Sequence, residues 1–376
     1  MRVLIAAGGT AGHINPALAI AQALGKARPD AEIHFAGRKE GMEYGLVTKA
    51  GYPFHHIEVN GIQRRLTPKN IVRNVKAVYH LALSMPRAKA IIRHVKPDLV
   101  IGCGGYVSGP VVRCAARMGI PTAIHEQNAF PGVTNKLLAK EVTVVFAAVQ
   151  AAVEKLGAPE KTLVVGNPVR PSLFEQDREA VRAAMGLGDE TLIVSFGGSL
   201  GARPINEVVA QLAAWEKENP GRRIRHIHAT GKAGAAPFAR MMQEQHVQPD
   251  ENFEVREYIE DMPALLAAAD LVISRSGALT LAELEAVGRA SILIPSPYVA
   301  ENHQYYNALE LQKAGAAIVL EEKDLTAARL IELIDGLCAE PGKLRVMGQM
   351  AKRLAEPHSL DKITEKLLEI AGYAAG

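Results

Sequence analysis

Aromatic residues make up only 5% of the 376-residue chain, with a single tryptophan, Trp215. A platform that stacks the bases of single-stranded nucleic acid needs more of them, and no nucleic-acid-binding module is recognisable, so no nucleic-acid partner is expected. Cysteine is scarcer still. Cys103, Cys114 and Cys338 form no CxxC pair, which excludes a disulfide framework, argues against a structural zinc site and suits a reducing cytosol. Nowhere do 18 apolar residues run together, so no helix spans a bilayer. The opening MRVLIAAGGT is an apolar run stopped by glycines, too short for a secretory signal. The aspartates, at 30, 98, 177, 189, 250, 261, 270, 324, 335 and 361, make no DxD, and no HExxH occurs. Metal-bridged diphosphate chemistry is therefore not encoded in a recognisable form, and neither a protein-held metal nor another cofactor is expected.

What is present suits a folded chain. Hydrophobic residues are 48% and charged residues 22%, which allows a full core, and the length predicts two or three domains at ~150 residues each. The net charge of +3 hides an asymmetry. Residues 1–165 carry 21 Lys+Arg against 10 Asp+Glu, a balance of +11, and the rest carry 22 against 30, or −8. From Val59 to His125 the only carboxylate side chain is Asp98, amid 11 Lys+Arg. Within that stretch Ile71, Val75, Val78 and Ala82 fall on one helical stripe, flanked by Val72, Tyr79 and Leu83. Arg73, Lys76 and His80 fall on the opposite side, after Lys69. Such a surface suits an anionic bilayer, at about 1 kcal/mol per Lys or Arg near the headgroups. The alternative is a sheet-covering helix with a solvated basic face.

Short β-branched runs alternate with helical stretches. Val3–Ala7, Ile33–Ala36, Leu99–Ile101, Thr122–His125 and Val142–Phe146 read as buried strands, with helices at Pro16–Ala27 and Ile71–Val95. The pattern restarts after Gly166 with strands Leu192–Phe196, Arg225–Ala229, Leu271–Ser274, Ile292–Pro295 and Ala317–Leu320. Helices near Asn206–Trp215, Leu279–Val287 and His303–Ala314 lie between them. Alternating βα units predict an α/β fold of doubly wound parallel sheets. Gly8-Gly9-Thr10-Ala11-Gly12 and Gly197-Gly198-Ser199-Leu200-Gly201 repeat one phrase, strand then GG[ST]xG then helix, 189 residues apart. The two-proline segment Gly166–Pro171 predicts a boundary, giving domains 1–167 and 168–356, and a last helix, Leu360–Ala371, could pack on either.

Each glycine phrase brings backbone N–H groups and a helix N-terminus to the carboxyl end of a strand, a place for a phosphate or polar ligand. Tight turns without ligand are the alternative. Neither the first loop nor Gly102–Val107 has the GxGxxG of dinucleotide folds, and Arg38 and Lys39 stand where an acid would hold a ribose. In Arg275-Ser276-Gly277-Ala278-Leu279-Thr280-Leu281-Ala282-Glu283, Ser276 or Thr280 could cap or meet a phosphate. Glu283 could accept from a ribose diol or complete a capping box. Glu301-Asn302-His303-Gln304 opens a further helix with dense polar groups. His125-Glu126-Gln127-Asn128 follows a strand, with Glu126 suited to a buried network. His13 is a candidate general base.

Together GGTAGH, GCGGYVSGP, HEQN with TNK, GNPVR, GGSLGA, RSGALTLAE and HQYYNA resemble the MurG-type N-acetylglucosaminyltransferases, in order from Gly8 to Ala308. The resemblance implies a GT-B fold of two Rossmann-like domains across a cleft, with the final helix, within 357–376, returning to the N-terminal domain. It implies inverting transfer of GlcNAc from UDP-GlcNAc to the C4 hydroxyl of MurNAc in undecaprenyl-diphospho-MurNAc-pentapeptide (lipid I), giving lipid II. The N-terminal domain would take the acceptor and the C-terminal domain the donor. The implied place is peripheral, on the anionic cytoplasmic face of the cell membrane, with other cell-wall enzymes as further partners.

By the same resemblance Thr10, Ala11, Gly12 and Asn128 face the donor, while Arg170 and Ser199 lie near its diphosphate. Ile259 meets uracil through its backbone, Ala278 to Glu283 underlie diphosphate and ribose, and Gln304 meets a GlcNAc hydroxyl. His13 matches the proposed base, with Glu126 acting through His125 in reserve. The family's first loop commonly reads GGTGGH. Ala11 departs from it, and alanine would cost roughly 1 kcal/mol if the position needs φ > 0. A UDP-GlcNAc epimerase on the same architecture and a non-enzymatic basic membrane adaptor are the alternatives.

Overall fold

The computed structural model describes residues 1–59, 83–198 and 200–373. The chain divides into two compact units, Met1–Val169 with His358–Gly376, and Arg170–Pro357. The predicted stripe residues Lys69, Arg73, Val75, Lys76 and Tyr79 lie outside the described residues, as does Ser199.

Unit 1 is built on a seven-stranded sheet in the order β3-β2-β1-β4-β5-β6-β7, every neighbouring pair parallel. The strands are β1 (Arg2–Ala6), β2 (Glu32–Gly37), β3 (Phe54–His56), β4 (Leu99–Gly102), β5 (Thr122–Glu126), β6 (Val144–Ala147) and β7 (Thr162–Val164). Because side chains alternate along a strand, Val3 and Ile5 join one core layer and Leu4 and Ala6 the other. Both faces of the sheet are therefore covered, which is why the central strands read as unbroken apolar runs. The first layer includes Ile14, Ile20 and Leu24 of the Ala11–Ala27 helix and Ile363, Leu367 and Leu368 of the terminal Ser359–Ile370 helix. Residues from both chain ends thus close one core. The tie continues at Asp98, whose Oδ2 accepts from the Arg2 amide at 2.7 Å and from the Tyr373 hydroxyl at 3.3 Å.

Unit 2 repeats the plan with six parallel strands in the order β10-β9-β8-β11-β12-β13. They are β8 (Thr191–Phe196), β9 (Ile224–Ala229), β10 (Phe253–Arg256), β11 (Leu271–Ser274), β12 (Ala290–Leu293) and β13 (Ala317–Val319). Ile193, Leu271, Ile273 and Ile292 pack with Val209 and Leu212 of the Arg203–Glu218 helix and with Leu330 and Ile334 of the Ala327–Cys338 helix. In both units the order turns at the first strand, β1 or β8, which neighbours a later strand on one side and the next on the other. That reversal leaves a crevice at the carboxyl ends, the place where open α/β sheets bind ligands.

Several bounds differ from those expected, two of them instructively. The first helix begins at Ala11, five residues before its predicted start, and carries Pro16 inside it. The proline has no N–H for the Gly12 carbonyl, but its fixed φ is helical and the turn before it continues. The strand expected at Ile292–Pro295 ends at Leu293.

Candidate functional site

Three loops of unit 1 meet at the carboxyl ends of β1, β4 and β5. In the first, the left-handed residue is Gly9 (φ +90°), while Ala11 is the first helical residue after an extended Thr10. The cost expected for alanine therefore does not arise. Gly105 lies so close that a Cβ there would stand 2.2 Å from the Gly8 carbonyl oxygen, and one on Gly104 would stand 2.4 Å from Nδ1 of His13. Two missing side chains thus let the loops close and make room for the His13 ring. Nδ1 of His13 is 3.3 Å from Oε1 of Gln127. Buried Gln127 in turn donates from Nε2 to the Cys103 carbonyl at 2.9 Å and toward His125, whose Nδ1 is 3.1 Å away. His125 has no solvent exposure, and its Nε2 meets the Gly166 carbonyl at 3.1 Å. Burial pulls its pKa down to about 4.

Glu126 takes another part. Its Oε1 accepts from the Asn128 amide and from Asn128 Nδ2, both at 3.0 Å, and its Oε2 accepts from the Gly132 amide at 3.0 Å and Asn135 Nδ2 at 2.9 Å. With four donors from its own loop and the next helix, it shapes the turn that carries Asn128. Its carboxylate makes no hydrogen bond to the His125 ring among the described residues, so the relay from Glu126 through His125 is absent from this geometry. A carboxylate that the sequence did not single out is Glu43, 1% exposed, which accepts from the Gly9 amide at 3.3 Å and the Arg38 amide at 3.1 Å. Gly8, Gly37 and Gly41 surround it so tightly that a Cβ on any of them would fall within 2.8 Å of its side chain. An internal carboxylate thus holds the turn that a dinucleotide fold leaves to a pyrophosphate. Those three glycines were the available sequence signal. Burial pushes the Cys103 thiol up to about 12, which makes it packing rather than a nucleophile.

In unit 2 the Ala278–Val287 helix starts directly after β11. Its N-cap is Gly277, so no side chain caps it, and the capping box that was the alternative for Glu283 does not form. Ser276 instead donates from Oγ to the Gln304 carbonyl at 2.9 Å, while Oε1 of Gln304 accepts from the Ser296 amide at 2.9 Å. These bonds bring RSGALTLAE and HQYYNA together. The chain enters the second motif through Glu301 and Asn302, both left-handed (φ 54° and 50°), a conformation that costs non-glycine residues energy and clusters at functional sites. Ala278, Leu279 and Thr280 reach the surface, whereas Leu281 and Ala282 turn into the core and can offer only backbone. Glu283 lies at 23% side-chain exposure with its Oε1 3.9 Å from Nη2 of Arg170, which is 59% exposed. Burial raises the Glu283 pKa and Arg170 pulls it back down. Ile259 is buried after β10. At Gly201 backbone packs on backbone, since a Cβ there would stand 2.1 Å from the Thr230 carbonyl oxygen.

The structure thus collects Thr10, Ala11, Gly12, His13 and Asn128 on unit 1, and Arg170, Ala278 to Glu283 and Gln304 on unit 2. Elsewhere in unit 2, on β8, β9 and the Arg203–Glu218 helix, runs a buried chain. Glu216 meets Nδ1 of His226 at 3.0 Å, and Ser195 Oγ lies 2.7 Å from both His226 Nε2 and His228 Nδ1. It has the parts of a hydrolytic triad, but Ser195 and both rings have no solvent exposure, so no substrate reaches the hydroxyl. Among the described residues no group of three or more His, Cys, Asp or Glu could hold a metal ion, and no helix is long and apolar enough to cross a membrane.

Two family models match the chain. Residues 3–147 match the glycosyltransferase family 28 N-terminal domain and residues 192–363 its C-terminal domain. The chain is 44% identical over 378 residues to the UDP-N-acetylglucosamine–N-acetylmuramyl-(pentapeptide) pyrophosphoryl-undecaprenol N-acetylglucosamine transferase of Desulfitobacterium hafniense (strain DSM 10664 / DCB-2), covering 99% of this chain and 100% of that one. It is 43% identical over 371 residues to the transferase of the same name from Acetivibrio thermocellus, covering 98% of each. Among solved structures, Acinetobacter baumannii MurG superposes with a TM-score of 0.75 at 27% identity, over 98% of this chain and 99% of that one. A UDP-GlcNAc 2-epimerase from Neisseria meningitidis shares the fold, with a TM-score of 0.65 at 15% identity over 98% and 100%. Matched along both halves and aligned end to end with these transferases, the chain belongs to the MurG-type N-acetylglucosaminyltransferases of glycosyltransferase family 28.

Proposed function

We infer that the protein transfers GlcNAc from UDP-GlcNAc to the C4 hydroxyl of MurNAc in lipid I, giving lipid II with inversion at the anomeric carbon. The observation that carries this reading is the end-to-end identity with transferases named for that reaction. In one displacement the acceptor oxygen loses its proton to a base, bonds to the anomeric carbon, and UDP departs from the opposite face with the electrons of the broken C–O bond. Departing UDP needs its charge met. The Ala278–Val287 helix, with glycine in place of a capping side chain, turns its positive end toward the surface, and Arg170 beside Glu283 adds a fixed cation. Glu283 accepts from the ribose diol, Ile259 meets the uracil through its backbone, Gln304 holds a GlcNAc hydroxyl, and Ser199 lies near the diphosphate. From unit 1, Thr10, Ala11, Gly12 and Asn128 contact the donor sugar, and His13 is the base.

On this reading no metal ion is needed, because the helix end and Arg170 carry the charge. The acceptor enters from the membrane, and the acid-poor stretch with Lys69, Arg73, Val75, Lys76 and Tyr79 takes the anionic surface at its cytoplasmic face. Replacing Arg73 and Lys76 by Glu should weaken binding to anionic vesicles and leave UDP binding intact. The deciding assay is transfer of labelled GlcNAc to a soluble lipid I analogue, with and without chelator. Epimerised UDP-GlcNAc formed without acceptor would point to the epimerase reading, and absence of UDP binding to a basic adaptor. His13→Ala should lower turnover by roughly 10²- to 10⁴-fold with donor affinity nearly unchanged. Near-normal turnover would remove His13 from the role.

A further inference from the structure

We propose that Gln127 is a positioning residue that fixes the tautomer of His13, holding the proton on Nδ1 and leaving the basic lone pair on Nε2. The inference rests on the reading of His13 as base. It follows from counting donors and acceptors along one buried row. The Gln127 amide group has an orientation that its surroundings dictate. Its nitrogen faces the Cys103 carbonyl at 2.9 Å and the His125 carbonyl at 3.2 Å, and the flipped amide would set oxygen against two oxygens. Oε1 must therefore be the atom that faces His13. An amide oxygen only accepts, so Nδ1 of His13, 3.3 Å away, must donate.

The far end of the row is fixed in the same way. Nε2 of His125 faces the Gly166 carbonyl at 3.1 Å and must carry hydrogen, which makes Nδ1 the acceptor for the Gln127 amide at 3.1 Å. Burial keeps His125 neutral down to a pKa of about 4, so the polarity of the row holds across the neutral range. Every bond in it points the same way, from the His13 Nδ1–H to Gln127, from Gln127 to His125, and from His125 to the Gly166 carbonyl. Gly104 gives the His13 ring its place, since a Cβ there would sit 2.4 Å from Nδ1.

The selected tautomer is the less favoured one. A histidine side chain in water prefers its proton on Nε2, the nitrogen that a general base must present bare, so a partner at Nδ1 has to reverse the preference. An aspartate does so for the histidine of serine proteases. A neutral amide does it here without adding a charge. Sequence reading passed over Gln127 because the members of the row come from four segments, the start of the first helix, the end of β4, β5 and the loop at Gly166.

The test is the tautomer itself, read by long-range proton–nitrogen NMR of the full-length protein labelled at histidine nitrogen. The wild type should show His13 with hydrogen on Nδ1, and Gln127→Met should move it to Nε2 or a mixture. With Gln127→Met, kcat should fall roughly 10²-fold while KM for UDP-GlcNAc stays within about twofold, because the change touches the proton and not the donor. Hydrogen on Nε2 in the wild type, or an unchanged tautomer in Gln127→Met, overturns the proposal. The wild-type spectrum decides alone if the variant does not fold. A shifted tautomer with unchanged kcat upholds the positioning and removes His13 as the base, so the two failures are told apart.

Discussion

Glu283 owes its chemistry to the two things nearest it, a partly buried helix face and the guanidinium of Arg170 at 3.9 Å. Burial disfavours its charge and Arg170 favours it, with burial the larger effect, so its pKa stands above the ordinary carboxylate value. A ribose diol donates to a carboxylate, so UDP affinity should begin to fall at a higher pH than the protonation of an ordinary glutamate would produce. Calorimetric titration of UDP against pH reads this, and Glu283→Gln should flatten the dependence and weaken UDP by roughly 10- to 100-fold, the range for a hydrogen bond to a charged group. Two fully buried histidines contribute to acid sensitivity. His125 is lowered to about 4 and His228 to about 3, both by burial. Between pH 6.5 and these values the unfolded chain binds more protons than the folded one. Their contribution is therefore complete above 6.5 and is lost as the pH falls, at about 1.4 kcal/mol per pH unit for each. A denaturant series across pH 7 to 4 checks the slope, which His228→Gln should reduce. Little of this was legible from sequence. Glu126 was readable as part of a buried network, but nothing in the order of residues names its donors or says that Gln127 would face His13 across a strand.

The Gly277 position tests how far the Ala278–Val287 helix serves binding rather than stability. Gly277 has extended backbone (φ −66°, ψ 139°), the conformation in which Asp or Ser caps a helix, and a Cβ there would meet only Thr280 Oγ1, at 3.9 Å. Gly277→Asp is therefore expected to fit and to leave thermal stability unchanged or raised by a few tenths of a kcal/mol. The new carboxylate would compete for the amide groups proposed to meet the diphosphate, so UDP affinity should drop roughly tenfold or more. A melting curve with a UDP titration separates the two effects. A variant that binds UDP normally would move the diphosphate away from this helix. Elements of this kind were the readable part of the sequence. The central strands β1, β4, β5, β8 and β11 are covered on both faces and appear as apolar runs. The edge strands β3, β7 and β10 were missed for the converse reason. They are three or four residues long, and β7 leaves Leu163 and Val164 40% and 41% exposed. An edge strand is held by one neighbour's ladder more than by burial, so its apolar signal is short, and the remaining edge strand, β13 (Ala317–Val319), was read only because its apolar run continues to Leu320.

The division of labour proposed for the two units predicts a division of ligand-induced stability. Each unit has its own sheet and its own core, so local opening can be followed separately in each by amide hydrogen exchange. A ligand stabilises what it binds by RT ln(1 + [L]/Kd), which is about 2.7 kcal/mol at a hundredfold excess over Kd. UDP alone should add roughly that much to the opening energies of amides in unit 2, at the ends of β8 and β11, and should leave β1, β4 and β5 unchanged. UDP-GlcNAc brings the sugar, for which Thr10, Ala11, Gly12 and Asn128 are proposed partners, so it should protect amides at the end of β1 and after β5 as well. The comparison isolates the sugar, because the nucleotide is common to both ligands. Equal protection of unit 1 by UDP and UDP-GlcNAc would assign nucleotide contacts to the first glycine loop, against the reading in which Glu43 already holds its Gly9 amide. Protection confined to unit 2 with both ligands would leave unit 1 to the acceptor alone, and the base would then meet the donor only after lipid I is bound.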